Sequence, residues 1–397
     1  MKRHAPLIAV LLAVAACAAE PLDVGLTAGQ TALDGEIIAV QLIVTATFED
    51  LTPLADGGED ATIKPIRGAR FEVLGEGDAL LGWGITDATG GGAALFDATA
   101  GEPLRVRVLA LSGHRASTVA VRSEDYAIHG AESAATAAAE VMEIAVHASA
   151  EGAGAAFNLF DDVFTTVRLL ADRYGPVEGL DVVWTPGVGH PCGSCYLPLA
   201  HTILVGGSEA DPDQWDDSVV LHELGHWFEA QLASTTNPGG PHDGSRTEPD
   251  QAWSEGFASF FGQALLADPV YVDSFGDGTW SMDLERMGGD HAWGTEDGTL
   301  AAPVSENLVA AVLWDFFDDG PPEPNDALAA NLLVILDPAV HWFGAAEPLD
   351  TGFQGVDLAD YLTGWLATGN GRWWSVAKIV LGRDYPYPFH APPIPTP

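Results

Sequence analysis

Basic residues are scarce in this chain of 397 residues, which has 16 lysines and arginines against 57 aspartates and glutamates. The formal net charge of −41 at pH 7 disfavours binding to nucleic acid and to anionic lipid, because both carry negative charge. An acidic excess of this kind keeps a protein soluble in a salty medium, where screening weakens its self-repulsion. We therefore expect no nucleic-acid partner.

Apolar runs of membrane-spanning length are missing, and the one prominent apolar segment is short. A basic start at residues 1–4 precedes an apolar stretch over residues 5–16, as in a secretion signal. Residues 14–17 are Val-Ala-Ala-Cys and resemble the lipobox of bacterial lipoproteins, which implies cleavage before Cys17 and acylation of that cysteine. We expect an exported lipoprotein on the outer membrane or cell surface, attached only through Cys17. A secreted protein with an ordinary signal is the alternative.

Cysteine is also scarce, with three residues in the whole chain. Cys192 and Cys195 are separated by two residues, and in an exported protein such a pair is typical of a short-loop disulfide. A redox-active pair and a structural zinc site are the alternatives. The first lacks a surrounding thioredoxin-like unit and the second lacks two further ligands, so a disulfide is expected.

Residues 220–227 contain an H-E-x-x-H motif inside a segment with helical periodicity. His222 and His226 are four residues apart and share one helix face, so both imidazoles can bind one metal ion. Glu223 is placed to take a proton from water at that metal, which predicts zinc and peptide-bond hydrolysis. An apolar stripe supports the helix: Trp215, Val219, Val220, Leu224, Phe228 and Leu232. Asp211 and Asp213 are N-cap candidates, and residues 237–240 end the pattern.

A catalytic zinc needs a third protein ligand and an open position. The metzincin class would require histidine at position 232, which is leucine. Glu255 is the leading candidate, because it lies in an apolar helical segment that starts at Pro249, where an unpaired carboxylate is costly. His242 is the rival, although its Gly/Pro-rich loop fixes a ligand less well than a helix does.

The pair of segments resembles the gluzincin metallopeptidases, over roughly residues 155–320. The resemblance rests on the H-E-x-x-H motif and on a second helix with Trp-Ser-Glu-Gly-x-Ala at residues 253–258. It implies His222, His226 and Glu255 as zinc ligands and Glu223 as general base. The Asn-Glu-x-x-Ser-Asp form of the thermolysin-like branch is absent, and so is the Gly-x-Met-x-Asn exopeptidase signature.

Catalysis of this kind needs a donor for the developing oxyanion and acceptors for the outer N–H groups of the zinc histidines. Three side chains are candidates for the oxyanion donor: Tyr271, Arg286 and His291. Two carboxylates are candidates for the N–H acceptors: Glu229 and Asp315.

Periodicity predicts an N-terminal all-β sandwich followed by an α+β zincin-like metallopeptidase domain with a mainly helical C-terminal subdomain. Residues 40–48 alternate between apolar and polar, and further short strand-like runs are separated by Gly/Asp turns. Residues 68–90 resemble the transthyretin-like, carboxypeptidase-regulatory sandwich. The alanine-rich residues 131–140 form a linker or a short helix in this interpretation. Residues 202–206 are predicted to be the edge strand that pairs with extended substrate.

The predicted organisation is a lipoprotein signal peptide (1–16), a tether (17–34), a β-sandwich module (35–150), a zincin-like domain (151–385) and a Pro-rich tail (386–397). We expect a zinc-dependent peptidase, in the leading hypothesis an endopeptidase, with one catalytic zinc and a polypeptide substrate. The alternatives are an inactive relative that acts as a surface binding lipoprotein, and a zinc hydrolase of a non-peptide substrate. Acidic loops such as residues 56–60 could bind Ca²⁺, but no segment has EF-hand spacing.

Overall fold

The structure is a computed structural model that describes residues 35–113, 117–276, 278–285, 303–318, 328–343, 353, 355–370 and 372–385. Several predicted features lie outside the described residues: the signal peptide, Cys17, the tether, Arg286, His291 and the Pro-rich tail. Among the described residues, no helix is long and apolar enough to cross a membrane.

Strands dominate the first part of the chain, and helices dominate the second. The strands are β1 (Ile37–Pro53), β2 (Glu59–Pro65), β3 (Ala69–Leu74), β4 (Leu80–Ile85), β5 (Gly91–Thr99), β6 (Pro103–Ser112), β7 (Val119–Arg122), β8 (Gly130–Glu132), β9 (Thr136–Ala137), β10 (Val141–Ala148), β11 (Leu180–Val183), β12 (Cys195–Leu197), β13 (Thr202–Leu204), β14 (Arg246–Thr247), β15 (Val270–Phe275), β16 (Gly278–Asp283) and β17 (Val304–Ser305). The α-helices are α1 (Ala155–Tyr174), α2 (Asp217–Leu232), α3 (Pro249–Leu266), α4 (Glu306–Phe317), α5 (Leu332–His341), α6 (Leu358–Ala367) and α7 (Trp373–Gly382).

The first sheet is built around β1, whose length follows from its alternating sequence. Val40, Leu42 and Val44 are buried, whereas the residues between them are partly or fully exposed. β1 pairs in parallel with β10 along one edge and antiparallel with β5 and β2 along the other. The alternation predicted for residues 40–48 therefore forms a strand with one buried face.

The second sheet crosses the domain boundary predicted between residues 150 and 151. Its strand order is β12-β13-β11-β7-β6-β3-β4, with β8 and β9 also paired to β6. β7 and β11 run parallel, with Val121 beside Val182, so strands from both sides of the boundary share one sheet. Strands from both predicted domains, 35–150 and 151–385, therefore belong to the same sheet. The strand-rich character of residues 35–150 agrees with the sequence, while the sandwich itself stays a prediction.

The alanine-rich segment 131–140 does not form the short helix that was one of its two interpretations. Instead β8 and β9 pair antiparallel with β6, and Glu132 lies opposite Arg107. Arg105 Nη1 also approaches Glu132 Oε2 at 3.0 Å. Pairing with a neighbouring strand outweighs the intrinsic helix preference of alanine in this segment.

α1 packs against the strand-rich region and connects it to the rest of the molecule. Its apolar face, which includes Phe157 and Leu170, is fully buried. Gly68 has φ of +67°, and a Cβ there would come within 2.0 Å of the Phe164 ring, so only glycine fits against this helix. Arg67 forms a two-point ion pair with Asp161 of α1.

The C-terminal part is helical, as predicted, with one departure. α4, α5, α6 and α7 form this helical part. The departure is the hairpin β15–β16, in which Tyr271 lies opposite Met282 and Asp273 opposite Trp280. This hairpin matters because it carries side chains to the candidate site.

Candidate metal centre

α2 begins later than its predicted N-caps. Asp213 belongs to a short 3₁₀ turn, and the residue before the helix is Asp216, whose side chain makes no cap hydrogen bond. The carboxylate of Asp216 instead accepts from the backbone N–H and the hydroxyl of Ser274 in β15, at 3.0 and 2.7 Å. Asp213 accepts from the Ser194 hydroxyl. The predicted caps at Asp211 and Asp213 are therefore wrong, because Asp213 bonds to a neighbouring loop and both residues precede the helix.

α2 and α3 pack closely where they meet. A Cβ on Gly225 would lie 2.7 Å from the Cα of Ala258, so two small residues allow close contact between the helix backbones. Pro249 occupies the first turn of α3, where its missing N–H costs nothing. The close packing brings Glu255 of α3 against the two histidines of α2.

His222, His226 and Glu255 converge through three atoms. His226 Nε2 lies 3.0 Å from Glu255 Oε2 and 3.2 Å from His222 Nε2, and His222 Nε2 lies 3.3 Å from Glu255 Oε2. All three ligand atoms lie within 4.8 Å of one another, which is close enough for them to bind one metal ion. His222 and Glu255 are buried. The structure thus brings together the three ligands that the sequence predicts.

The hydrogen bonds of His226 fix which ring nitrogen faces the centre. Ser254 has one hydroxyl proton, and it donates to Glu229 Oε2 at 2.5 Å. His226 Nδ1, 3.3 Å from Ser254 Oγ, must then be the donor in that pair. Its Nε2, which faces His222 and Glu255, then has the lone pair when the ring is neutral, and this is the tautomer that binds a metal.

The outer partner of His222 is neither of the two carboxylates predicted for this role. His222 Nδ1 lies 3.1 Å from Ser259 Oγ, one helical turn after Glu255 on α3. Asp315 instead holds Arg383 by a two-point ion pair, so its predicted role is wrong. Glu229 does reach its histidine, at 3.6 Å from His226 Nδ1. Spacing of four residues from Glu255 is the signal that could have found Ser259.

Glu255 is held ionised in the centre. Burial raises the pKa of its carboxyl, but the hydrogen bonds with His222 and His226 outweigh this and hold the pKa well below its usual value. Its second oxygen, Oε1, accepts from Asn237 Nδ2 at 3.1 Å. Asn237 lies in the segment that the sequence marks only as a helix breaker, so no sequence signal identifies it.

The donor set fits a zinc ion. Two imidazole nitrogens and one carboxylate oxygen, each with an outer hydrogen bond, make up the ligand set of His₂Glu catalytic zinc sites. His226 Nε2 faces the two other ligand atoms, and a cation between them would satisfy all three. His222, His226 and Glu255 would hold the ion.

Glu223 is positioned by the edge of the second sheet. Its Oε2 accepts from the backbone N–H of Tyr196 at 2.7 Å, and its side chain lines the same cavity as His222. Tyr196 belongs to β12, which pairs with β13 and lies at the end of the strand order. The edge strand is therefore β12, and the prediction that residues 202–206 form the edge is wrong, because β13 is covered on both sides.

Cys192 and Cys195 are joined by a disulfide at the start of this edge strand. Cys195 is the first residue of β12 and immediately precedes Tyr196. Cys192 lines the cavity beside the metal centre. The disulfide thus restrains the start of β12, next to Tyr196, whose N–H donates to Glu223.

His242, the rival ligand, lies beside the centre. Its Nε2 is 3.4 Å from Glu255 Oε2, and its Nδ1 is 3.3 Å from Glu306 Oε1. The hydrogen bond with Glu306 raises the pKa of His242; burial opposes this rise, and the charge of Glu255 adds to it. With Glu306 holding its Nδ1, His242 can present Nε2 to the centre.

A cavity of about 350 Å³ opens beside the centre and is lined by His222, Glu223, His242 and Tyr271. One wall is acidic and contains Asp211, Asp213 and Asp273. Burial raises the pKa of Asp213 to about 8, and it raises the pKa of Asp273 to about 6. Of the three predicted oxyanion donors, Tyr271 is the one that the described residues place at the cavity.

Comparison with known families bears on this segment. A family model described as the mycolysin C-terminal domain matches residues 175–339, which include every ligand of the centre. The chain is related to the metallopeptidases. The match spans less than half of the chain, and comparison with curated proteins gives no match. Within this metallopeptidase segment lie α2, α3 and the hairpin β15–β16.

Proposed function

We propose that the chain is a zinc-dependent endopeptidase whose ion is held by His222, His226 and Glu255. The observation that carries the proposal is the convergence of three ligand atoms within 3.3 Å of one another. Zinc in such a site supplies Lewis-acid activation of water and of the scissile carbonyl. The match to a metallopeptidase family supports a peptide as the substrate.

Glu223 acts as the general base. Its Oε2 is occupied by the Tyr196 N–H, so Oε1 is the atom that takes a proton from the attacking water. The same oxygen then returns that proton to the leaving amine. Because Tyr196 holds one carboxylate oxygen, the other keeps a fixed direction in the cavity.

Tyr271 donates to the developing oxyanion. Burial raises the pKa of its phenol well above the usual value, and the charges of Asp273 and Glu223 add to the rise. The hydroxyl therefore stays protonated and able to donate throughout the pH range in which a peptidase works. His242 Nε2, 3.4 Å from Glu255 Oε2, is a second donor beside the centre.

Extended substrate pairs with β12. This strand ends the order of the second sheet, so one of its edges is free among the described residues. Main-chain pairing holds an extended peptide without using its termini, which favours cleavage within a chain. The N–H of Tyr196 in this strand donates to Glu223, so main-chain pairing elsewhere along β12 and proton transfer occur close together.

The protein acts outside the cytoplasm as a lipoprotein. The lipobox-like residues 14–17 support this, with acylation of Cys17 as the membrane attachment. The disulfide between Cys192 and Cys195 is also typical of an oxidising compartment.

The test is cleavage of casein by zinc-loaded protein and by Glu223→Gln. Wild type should cleave casein, and Glu223→Gln should retain one zinc per chain but lose at least about 100-fold in kcat, since general base catalysis contributes that much. Glu143→Gln, an exposed glutamate on β10, is the matched control and should cleave normally. Zinc binding by wild type without casein cleavage would contradict the peptidase proposal and favour a non-peptide substrate.

A further inference from the structure

Asn307 is a buried amide whose donor group is unused. The residue is 4 % exposed, and its Nδ2 is buried without a hydrogen-bond partner among the described residues. Leaving such a donor unpaired destabilises the folded protein, so an amide at this position has to be explained by something other than stability.

The unused amide lines the candidate active-site cavity. Asn307 is the second residue of α4, and it borders the same cavity of about 350 Å³ as His222 and Glu223. A substrate that reaches Glu223 therefore passes near this amide.

The neighbours of Asn307 keep the amide free. Gly244 has φ of +82°, and a Cβ there would come within 2.4 Å of Asn307 Nδ2. The backbone N–H of Gly244 donates to Glu306 Oε1 at 2.6 Å, and its carbonyl accepts from Ser305 Oγ at 2.9 Å. Ser305 and Glu306 thus occupy the backbone carbonyl and N–H of Gly244. The amide of Asn307 lies beside Gly244 but receives no hydrogen bond from it.

Two other asparagines show what an amide with a structural role looks like here. Asn158 Nδ2 donates to Asp217 Oδ1 at 2.8 Å and to the Gln214 carbonyl at 3.3 Å. Asn237 Nδ2 donates to Glu255 Oε1 at 3.1 Å. Asn307 differs from both at the donor: its Nδ2 is buried without a hydrogen-bond partner among the described residues, whereas Nδ2 of Asn158 and Nδ2 of Asn237 each donate.

We propose that the side-chain amide of Asn307 binds the main chain of a peptide substrate: its Nδ2, buried in the free protein, turns toward this cavity and donates to a peptide carbonyl. The inference rests on the proposed peptidase function. A carbonyl is the acceptor that every peptide presents whatever its side chains, so Asn307 is a positioning residue that does not select sequence. The unpaired donor raises the free energy of the protein without substrate. This free energy is recovered when a substrate carbonyl accepts the hydrogen bond.

The test measures binding separately from turnover. Fluorescein-labelled casein is titrated into zinc-loaded Glu223→Gln and into the same variant with Asn307→Leu or Asn307→Ala, and binding is read by fluorescence anisotropy. Loss of one hydrogen bond should weaken casein binding by about 3- to 10-fold. Because the amide holds nothing in the free protein, the melting temperature should stay unchanged or rise.

Asn158→Ala is the matched control, since its amide is structural. It should lower the melting temperature, and at a temperature where the variant is folded it should leave casein binding unchanged. Equal casein binding with and without Asn307, in a protein whose wild type cleaves casein, would overturn the inference and leave the peptidase function intact. So would a fall in melting temperature of Asn307→Leu and Asn307→Ala as large as that of Asn158→Ala. Failure of wild type to cleave, together with failure of Glu223→Gln to bind, would overturn both proposals.

Discussion

The backbone N–H of Tyr196 donates a hydrogen bond of 2.7 Å to Glu223 Oε2. This bond joins the edge strand of the second sheet to Glu223, the proposed general base, on α2. It also places the disulfide of Cys195 one residue away from the group that orients Glu223. The strand proposed to bind substrate, the proposed general base and the disulfide are therefore parts of one local structure.

Removing the disulfide should weaken catalysis without removing the metal. Cys192→Ser with Cys195→Ser loosens the start of β12, so Tyr196 holds Glu223 less firmly and kcat should fall, by about 3- to 10-fold for one weakened hydrogen bond. Casein cleavage and zinc content of the double variant are the measurements. A phosphine reductant should lower the activity of wild type to the same degree and leave the double variant unaffected. Full activity of the double variant would show that the disulfide does not position Glu223.

The tautomer of His226 should depend on Ser254 and Glu229. Ser254→Ala or Glu229→Gln removes the acceptor arrangement that keeps the proton on Nδ1, and loss of such outer partners typically costs about 10- to 100-fold in metal affinity. Competition with a fluorescent zinc chelator measures this affinity. Asp315→Asn serves as the control, because Asp315 pairs with Arg383 and should affect stability but not zinc. Equal zinc affinities in all of these variants would refute the assigned tautomer.

The acidic wall should make the protein less stable as pH rises. The pKa of Asp213 is raised to about 8 from an ordinary value of 3.8, so the folded state binds this proton more tightly than the unfolded state. The resulting stability is fully present below about pH 4 and is lost as pH rises through about 8. Asp213→Asn carries no such titration, so its melting temperature relative to wild type should rise between pH 5 and pH 9, by a few degrees for about 1–3 kcal/mol.

The exposed Asp97 provides the matched control for that experiment. Asp97→Asn should follow wild type at every pH in calorimetry or thermal shift. Parallel curves for Asp213→Asn and wild type from pH 5 to pH 9 would mean that the Asp213 carboxyl does not retain its proton in the folded protein.

The close packing of α2 against α3 should tolerate no side chain at Gly225. Gly225→Ala places a Cβ 2.7 Å from the Cα of Ala258, which forces the helices apart and moves Glu255 away from the histidines. We expect about 1–3 kcal/mol of destabilisation, together with weaker zinc binding. Gly189→Ala is the control, since its Cβ would meet nothing closer than 3.5 Å. Denaturant titration measures the stability, and competition with a zinc chelator measures the affinity for zinc. Wild-type values of both in Gly225→Ala would show that the two helices are not closely packed at this position.

The elements that the sequence predicts are those whose own periodicity decides their structure. β1 alternates over residues 40–48, and α2 has an apolar stripe at helical spacing. The ligand pair on α2 and Glu255 follow from such local patterns. Short elements do not: β12 has three residues, and it is a strand only because β13 lies beside it.

The partners that complete the site are also set by long-range contacts. Ser254 reaches Glu229 from another helix, and Asn237 reaches Glu255 from a loop. Asp315 was an equally plausible partner on residue type alone, and its pairing with Arg383 depends on where α7 packs. Sequence spacing cannot rank such choices, because they depend on tertiary packing.

Zinc stoichiometry in Glu255→Ala and His242→Ala tests the central claim most directly. Plasma mass spectrometry of dialysed protein should find one zinc per chain in wild type and in His242→Ala, and none in Glu255→Ala. That result would establish Glu255 as the third ligand and His242 as a neighbour of the centre. Full zinc occupancy in Glu255→Ala, or loss of zinc in His242→Ala alone, would contradict the assigned metal centre.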